Sequence, residues 1–294
     1  NMKHMSILAV SLLALVACTP EKKQEADYSQ YVNPMIGTDF TGNTYPGAQV
    51  PFGMVQLSPD NGLPGWDRIS GYFYPDTTIA GFSHTHLSGT GAGDLYDISF
   101  MPVTRPYKEA PAPLGIYSTF SHNDEAASAG YYRVLLKDYN INVELTATER
   151  CGIQRYTFPE AEASVFLNLK KAMNWDFTLD SKIEVVDSTT IRGYRLSQGW
   201  SPLQHVYFET RFSKPFVACH MDTTSIVTKE KGWIGTAYVA RFDFNTKNDE
   251  EILVTTGISG VSMEGAGKNL RAEAPKDDFD YYQAQASANW NRLR

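Results

Sequence analysis

The sequence predicts an all-β fold, a large antiparallel β-sandwich over residues 31–275 followed by a C-terminal helix. Apolar and polar residues alternate with a period of two through most of this stretch, as in strands with one buried face. Turn residues separate the alternating runs at regular spacing, which is typical of a sandwich. The chain has no Gly-rich nucleotide loop between a strand and a helix, so a parallel α/β fold is disfavoured.

Two hairpins are the clearest elements of this pattern. The first joins alternating runs over residues 132–136 and 141–147 through the turn Asp138–Asn140. The second pairs Lys182–Val186 with Thr190–Leu196 around Asp187–Thr189. Further strands are predicted at Val165–Leu169, Val206–Phe212, Phe216–His220, Trp233–Phe244 and Glu251–Ser259.

The last segment, residues 276–294, changes to a helical period. Asp278 can cap the start of a helix, and an apolar residue then recurs every three or four positions from Phe279 to Leu293. No stop signal precedes Arg294, so we expect the start of a helical linker to a further domain that this chain lacks. The alternative is a C-terminal helix docked on the sandwich.

The N-terminus has the pattern of a targeting segment. Lys3 precedes an apolar run, Ser6–Ala17, which is too short to span a bilayer. The run ends in Leu-Val-Ala-Cys, which resembles the lipobox of bacterial lipoproteins, so we expect a signal peptide over 1–18 and lipidation at Cys18. Residues 19–30 are polar, which predicts a flexible tether between the lipid and the domain. These features predict an exported lipoprotein, held in the periplasm or at the outer membrane or cell surface. The alternative is an ordinary signal peptide with an incidental cysteine.

Charge and cysteine content narrow the possible partners. The net charge is −7 and no Lys/Arg cluster stands out, so nucleic-acid binding is not expected. Beyond the signal peptide the chain has Cys151 and Cys219. In an exported protein these could form one bridge, or they could be separate buried thiols, which is the interpretation we favour.

The segment Gly65–Asp97 combines tryptophan, tyrosines, histidines, small residues and carboxylates. A sugar site needs aromatic faces to stack on C–H surfaces and fixed polar groups to bind hydroxyls. Trp66 and Asp67 are the best such pair, although a core tryptophan beside a turn aspartate would give the same pattern.

His84 and His86 are two residues apart, and on a strand both would point to the same face. Such a pair can bind zinc with Asp94 or Asp97 as further ligands, but we predict no metal here. Hydrogen bonding to a sugar, or organisation of the adjacent loop, is the favoured interpretation, and plain structural histidines are the alternative.

Two other chemistries have little support in this segment. The glycines around Gly91 do not match a phosphate-binding loop and precede a predicted strand, Leu95–Met101, so a loop lining a site is more consistent. Glycoside hydrolysis needs two carboxyl groups facing each other across the scissile bond. Linear sequence pairs none of the aspartates in this way, and we therefore assign no catalytic residue.

Several long motifs resemble glycoside hydrolase family 92. They are Val32–Thr38, Tyr45–Asp60, Gly65-Trp66-Asp67 and Gly81–Gly91, in that order. Gly257–Asn269 and the helix bearing Trp290 resemble the interdomain linker of that family. The similarity extends from Tyr31 to Arg294.

The resemblance implies a galactose-mutarotase-like supersandwich that helices join to an (α/α)6 catalytic barrel. Members are calcium-dependent, inverting exo-α-mannosidases, many acting on α-1,2-linked mannose. The catalytic acid, the base and most calcium ligands belong to the barrel, which is absent from this chain, so the chain alone is expected to be inactive.

The resemblance also implies the partners and the substrate-binding residues. We expect mannose-containing glycans, the C-terminal catalytic domain and, through the lipid, a membrane as partners. The positions that match the family's substrate loops are Trp66, Asp67, His84, His86, Gly91 and Asp94. A stand-alone glycan-binding surface lipoprotein, or a scaffold domain without a sugar site, would be the alternatives.

Overall fold

The computed structural model describes residues 26–89, 91–170, 174, 176–222, 226–229, 233–236 and 238–292. The predicted signal peptide, the predicted lipidation site Cys18 and most of the predicted tether lie outside these residues. Within them, no helix is long and apolar enough to cross a membrane.

The described residues form twenty strands, two α-helices and three 3-10 helices. The 3-10 helices are Ser29–Tyr31, Trp66–Arg68 and His122–Asp124, and the α-helices are α1, Met263–Glu273, and α2, Phe279–Asn291. The strands are β1 Ser58–Asp60, β2 Thr78–Ile79, β3 Gly81–Ser83, β4 Ser99–Thr104, β5 Glu109–Ala110, β6 Gly115–Ile116, β7 Ser118–Thr119, β8 Glu125–Ser128, β9 Tyr131–Leu136, β10 Ile141–Ala147, β11 Cys151–Phe158, β12 Ala161–Asn168, β13 Phe177–Val185, β14 Thr190–Gln198, β15 Gln204–Phe212, β16 Ala218–Asp222, β17 Ile226–Lys229, β18 Trp233–Thr236, β19 Val239–Thr246 and β20 Glu250–Ser259.

Two large antiparallel sheets make up the sandwich. The eight-stranded sheet has the order β13-β14-β15-β20-β11-β10-β9-β8, and the six-stranded sheet has the order β1-β3-β4-β12-β19-β16. Both predicted hairpins are confirmed, because β9 pairs with β10 and β13 pairs with β14 in antiparallel register. Three pairs of short strands, β2-β7, β5-β6 and β17-β18, complete the described pairing.

The core lies where the inward faces of the two sheets meet. In β15 of the eight-stranded sheet, Val206, Phe208 and Phe212 alternate with more exposed residues, so one face of the strand is apolar. Phe212 packs its ring against Phe242 of the six-stranded sheet, with centroids 5.2 Å apart. Removing these rings from water is the main force that holds the sheets together.

Helix α1 lies inside the stretch for which the sequence predicted only strands. Ser262 caps it, because its Oγ accepts a hydrogen bond from the backbone N–H of Gly265 at 3.0 Å. The helix packs on β20 and β15. Gly257 of β20 permits this approach, since a Cβ there would lie 2.5 Å from the carbonyl oxygen of Ala266.

Helix α2 begins where the sequence predicted, because the Asp278 carboxylate accepts from the N–H of Tyr281 at 3.0 Å. The expectation that its apolar face awaits another domain is wrong for the described part of the helix. Phe279, Tyr282 and Ala286 are all buried. The first two pack with Cys151 and other apolar residues of the sandwich and α1, because the outer face of β11 and its neighbours is itself apolar. The described part of the helix is therefore docked on the sandwich, and its continuation as a linker to a further domain stays a prediction.

Cys151 and Cys219 are not bridged. Cys151 is buried beneath α1, and burial raises the pKa of its thiol to about 12. Cys219 on β16 is half-buried. The preference for separate thiols is confirmed, although only one of them is fully buried.

We expect Phe279→Ala to lower the free energy of unfolding by about 3–5 kcal/mol, because it empties an aromatic site in the α2 contact. Tyr281→Ala on the same helix is the matched control, since Tyr281 is 44% exposed. Denaturant unfolding of both variants measures the difference. Equal, small effects of the two substitutions would contradict the docked position of α2.

Candidate functional site

Trp66 lies on a 3-10 turn that presents its ring to solvent. The side chain is 55% exposed, which argues against a core tryptophan at this position. Two contacts hold the turn: the N–H of Gly65 donates to Asn174 at 2.9 Å, and Arg68 forms a bidentate ion pair with Asp76. Asp67, the other member of the predicted pair, is half-buried on the same turn. The turn therefore presents an exposed aromatic ring on a backbone that these two contacts hold in place.

His86 is a buried organiser of the adjacent backbone. Its Nδ1 donates to the carbonyl of Gln56 at 2.7 Å, and its Nε2 lies 2.8 Å from Oδ1 of Asp60. Ser83 donates to the other oxygen of Asp60 at 2.7 Å, and the histidine and aspartate side chains are both fully buried. Gly71 closes the cluster, because any Cβ there would lie 2.4 Å from the Asp60 carboxylate.

His84 is also buried, between the two sheets. Its Nδ1 donates to the carbonyl of Ile98 at 2.7 Å, and burial lowers its pKa to about 4, so the ring is neutral. β3 ends at Ser83, so both histidines follow the strand and do not share a strand face. The observed contacts are those of the loop-organising interpretation. Direct hydrogen bonding of either histidine to a sugar stays a prediction.

The loop 94–98 has an unusual backbone for residues with side chains. Leu95, Tyr96 and Ile98 have φ values of 85°, 64° and 55°, in the left-handed region that glycine favours. The predicted strand Leu95–Met101 therefore begins only at Ser99, because these left-handed residues cannot join a ladder. A backbone of this kind persists only where the surrounding contacts determine it.

Those contacts come from a buried ion cluster that sequence reasoning missed. The Arg195 guanidinium donates to Asp97 at 2.6 Å, to Asp176 at 3.0 Å and to the carbonyl of Leu95 at 3.3 Å. Burial lowers the pKa of Arg195, but the two carboxylates outweigh it and the net shift is upward. Its position was visible in the sequence, because Arg195 shares the inward register of β14 with Ile191.

A cavity of about 450 Å³ opens beside this loop. Trp200, which is 77% exposed, forms one wall. Asp94 lies at its base, where one carboxylate oxygen accepts from the N–H of Trp200 at 2.7 Å and from Gln204 at 2.8 Å. The other oxygen, Oδ1, has no hydrogen-bond partner among the described residues. The remaining lining residues are Leu87, Ala92, Leu95 and Ser201.

Asn174 connects this cavity to the Trp66 turn. It accepts from Gly65, and its Nδ2 lies 3.4 Å from the hydroxyl of Tyr96. Gly93 packs closely on Asn174, since a Cβ at Gly93 would lie 2.6 Å from the asparagine Cβ. Trp66 and Asp94 therefore each follow a glycine, Gly65 or Gly93, that contacts Asn174. Gly91 is exposed and outside the cavity lining.

Trp200 was not recognised from the sequence, although it follows Gly199 in a predicted connection between two strands. An exposed tryptophan in a loop is a signal for a binding surface. The structure adds what sequence could not, the contact between this loop and Asp94, 106 residues earlier. No group of three or more His, Cys, Asp or Glu side chains that could hold a metal ion occurs within the described ranges.

Comparison with known proteins assigns the family. The glycosyl hydrolase family 92 N-terminal domain matches residues 31–259 of this sequence. The chain belongs to glycoside hydrolase family 92. A solved family GH92 α-mannosidase from Bacteroides thetaiotaomicron is similar with a TM-score of 0.82 and 38% identity, over 90% of this chain and 38% of that one. The predicted family and sandwich fold are confirmed.

Two further relatives extend the comparison. A family GH92 inverting mannosidase from the same species is 26% identical with a TM-score of 0.74, over 92% of this chain and 36% of its own. An uncharacterized secreted glycosidase from Arthroderma benhamiae is 26% identical over 172 residues, 55% of this chain and 21% of its own length. The chain thus spans between about a fifth and two fifths of these relatives.

The stability of the site should depend on pH through His84. Its folded-state pKa of about 4 lies below the ordinary 6.5, so the neutral ring contributes stability that is complete above pH 6.5. This contribution is lost as the pH falls from 6.5 to 4, and a difference of this size corresponds to roughly 3 kcal/mol. Between pH 7 and pH 4, we expect the free energy of unfolding to fall by roughly 3 kcal/mol less in His84→Gln than in the wild type. Denaturant unfolding at the two pH values measures this difference. A wild-type profile for His84→Gln would contradict the assignment.

Proposed function

We propose that this chain is the N-terminal domain of an exported, calcium-dependent, inverting exo-α-mannosidase that trims mannose from glycans. The observation that carries the proposal is the joined arrangement of Trp66, Asp94 and Trp200 on a chain of this family. The names of the solved relatives, an α-mannosidase and an inverting mannosidase, support the substrate class and the stereochemistry.

The geometry suits one face of a sugar pocket. The exposed ring of Trp200 offers a flat apolar surface on which the C–H face of a pyranose can stack. The unpaired Oδ1 of Asp94 is a fixed acceptor for a hydroxyl group. Trp66 provides a second exposed ring on the adjoining turn. We propose that these three residues, with Asp67, bind the glycan while His84 and His86 keep the loops in place.

The acid and base of the reaction belong to the catalytic domain in this proposal. Inversion requires two carboxyl groups about 6.5–9.5 Å apart with a water between them. Near the cavity, Asp60, Asp97 and Asp176 are bound to His86 or Arg195 inside the protein, which suits scaffolding. Asp94 is held at the cavity base by Trp200 and Gln204.

We propose that the calcium ion, which the family resemblance implies for the complete enzyme, is held mostly outside this chain. A calcium ion takes six to eight oxygen ligands, usually including several carboxylates. Nowhere in the described part of the chain do three or more acidic, histidine or cysteine side chains gather in a way that could hold a metal. We propose that its ligands lie mostly in the catalytic domain, where the ion would bind and orient sugar hydroxyls.

Export is proposed from the N-terminal sequence and one relative. The fungal relative is described as a secreted glycosidase, which supports an extracytoplasmic location. We propose lipidation at Cys18, which would attach the domain to a membrane in the periplasm or at the cell surface. A stand-alone glycan-binding lipoprotein is the second candidate, favoured by the presence of both exposed tryptophans and Asp94 within this chain.

We expect Trp200→Ala and Trp66→Ala, each in the enzyme that carries its catalytic domain, to lower kcat/KM for an α-mannoside about tenfold or more. Each substitution removes a stacking face without touching the acid or base. Tyr281→Ala is the control, because it removes an exposed ring from α2. Wild-type kinetics for both tryptophan variants would show that neither ring contacts the substrate.

We expect the 294-residue chain alone to release no mannose, with or without calcium, because the proposed acid and base lie elsewhere. The enzyme with its catalytic domain should lose activity on chelation and regain it when calcium is restored. Mannose release by the isolated chain would contradict this division of roles. Glycan binding by the isolated chain would favour the second candidate if the organism makes no product longer than this chain.

A further inference from the structure

The Arg195–Asp97–Asp176 cluster adjoins the sugar pocket without lining it. All three side chains in its two ion pairs are fully buried, so no substrate can touch them. The cluster nevertheless binds the pocket loop through both backbone groups of one residue, Leu95. The Leu95 carbonyl accepts from Arg195, and the Leu95 N–H donates to Asp176 at 3.0 Å.

The loop needs such fastening because of its backbone. Leu95, Tyr96 and Ile98 have left-handed φ values, a strained conformation for residues with side chains. A β-branched residue such as Ile98 is especially unfavourable there. Thr85 adds one further fastening, since its hydroxyl donates to Asp97 at 2.6 Å. Without these contacts the segment would relax toward ordinary conformations.

The strained segment presents the pocket's polar and apolar groups. Asp94 and Leu95 both line the cavity. The Asp94 carboxylate fixes the backbone of Trp200, because it accepts a hydrogen bond from the Trp200 N–H. A continuous chain of contacts therefore runs from Arg195 through the Leu95 backbone to Asp94 and then to Trp200. A shift in the loop would move the acceptor and the stacking wall together.

We infer that Arg195 is a positioning residue of the sugar pocket, because it holds the left-handed loop 94–98 that sets Asp94 and Trp200 in place. The identity of the ligand rests on the proposed function, whereas the positioning of the loop does not. Arg195 acts through Leu95 and Asp97 and makes no contact with substrate.

Arg195→Lys tests this inference while keeping the buried positive charge. Lysine lacks the Nε–H that donates to Thr178 at 2.9 Å, and its Nζ ends one bond short of the Nη1 that contacts Asp97, Asp176 and the Leu95 carbonyl. The loop should therefore loosen although the fold remains. Arg192→Lys is the matched control, because Arg192 lies on the same strand but pairs with Glu184 at the surface. Hydrogen exchange of residues 93–98 in this chain is the first measurement. We expect about tenfold faster exchange there for Arg195→Lys alone, with strands β10 and β11 unchanged.

The second measurement is kinetic and uses the enzyme with its catalytic domain. Arg195→Lys should raise KM for an α-mannoside and lower kcat/KM about tenfold, with a smaller effect on kcat. A variant whose exchange rises equally in all strands would mark Arg195 as a general stability element and overturn the inference. Unchanged loop exchange and unchanged KM relative to Arg192→Lys would overturn it as well.

Asp176→Ala covers the case in which Arg195→Lys fails to fold. It removes the acceptor of the Leu95 N–H but leaves Arg195 paired with Asp97, so no buried charge is stranded. The same local loosening and rise in KM are expected, and their absence would overturn the inference. Trp200→Ala separates the two hypotheses: if it leaves KM unchanged the sugar pocket is wrong, and if it raises KM while Arg195→Lys does not, only the positioning role is wrong.

Discussion

Burial of a long connection at one end of the sandwich is the constraint on which the site depends. Residues 84–98 leave β3 and return in β4, and much of this connection is inaccessible to water. A buried polar group without a partner is costly, which favours pairing of these side chains inside the protein. His86 with Asp60, His84 with the Ile98 carbonyl, and Arg195 with Asp97 are examples of such pairing. The main role of these buried polar residues is therefore to hold the backbone of the connection in place.

These buried contacts explain how exposed groups can still be well placed. Trp66 and Trp200 are both largely exposed, yet each stands on backbone that is bound to buried residues. A stacking ring binds more tightly when its position is set before the ligand arrives, because less conformational entropy is then lost. The same reasoning applies to Asp94, whose free oxygen points from a side chain already fixed by two donors. In the proposed pocket the two tryptophans would contact the ligand and buried residues such as His86 and Arg195 support the backbone, whereas Asp94 would do both.

The two helices give the domain a second, independent layer of packing. α1 and α2 cover apolar positions on the eight-stranded sheet, and Trp290 donates to the carbonyl of Gln49 at 2.7 Å. The family match ends at residue 259, before both helices, but their contacts make them part of the sandwich's stability. The chain spans about two fifths of the length of its solved relatives, and we propose that the reaction itself takes place in a further domain.

Local signals in the sequence determined much of this protein. Period-two alternation identified the long strands and both hairpins, the Asp278 cap located the start of α2, and the order of motifs identified the family. Only the tertiary structure decided that β3 stops before His84, that Arg195 faces Asp97 across 98 residues, that Trp200 meets Asp94, and that α2 docks on the sheet. The reason is physical: backbone propensity and alternation depend on neighbours in the chain, whereas the partner of a buried charge depends on which distant strands the core brings together.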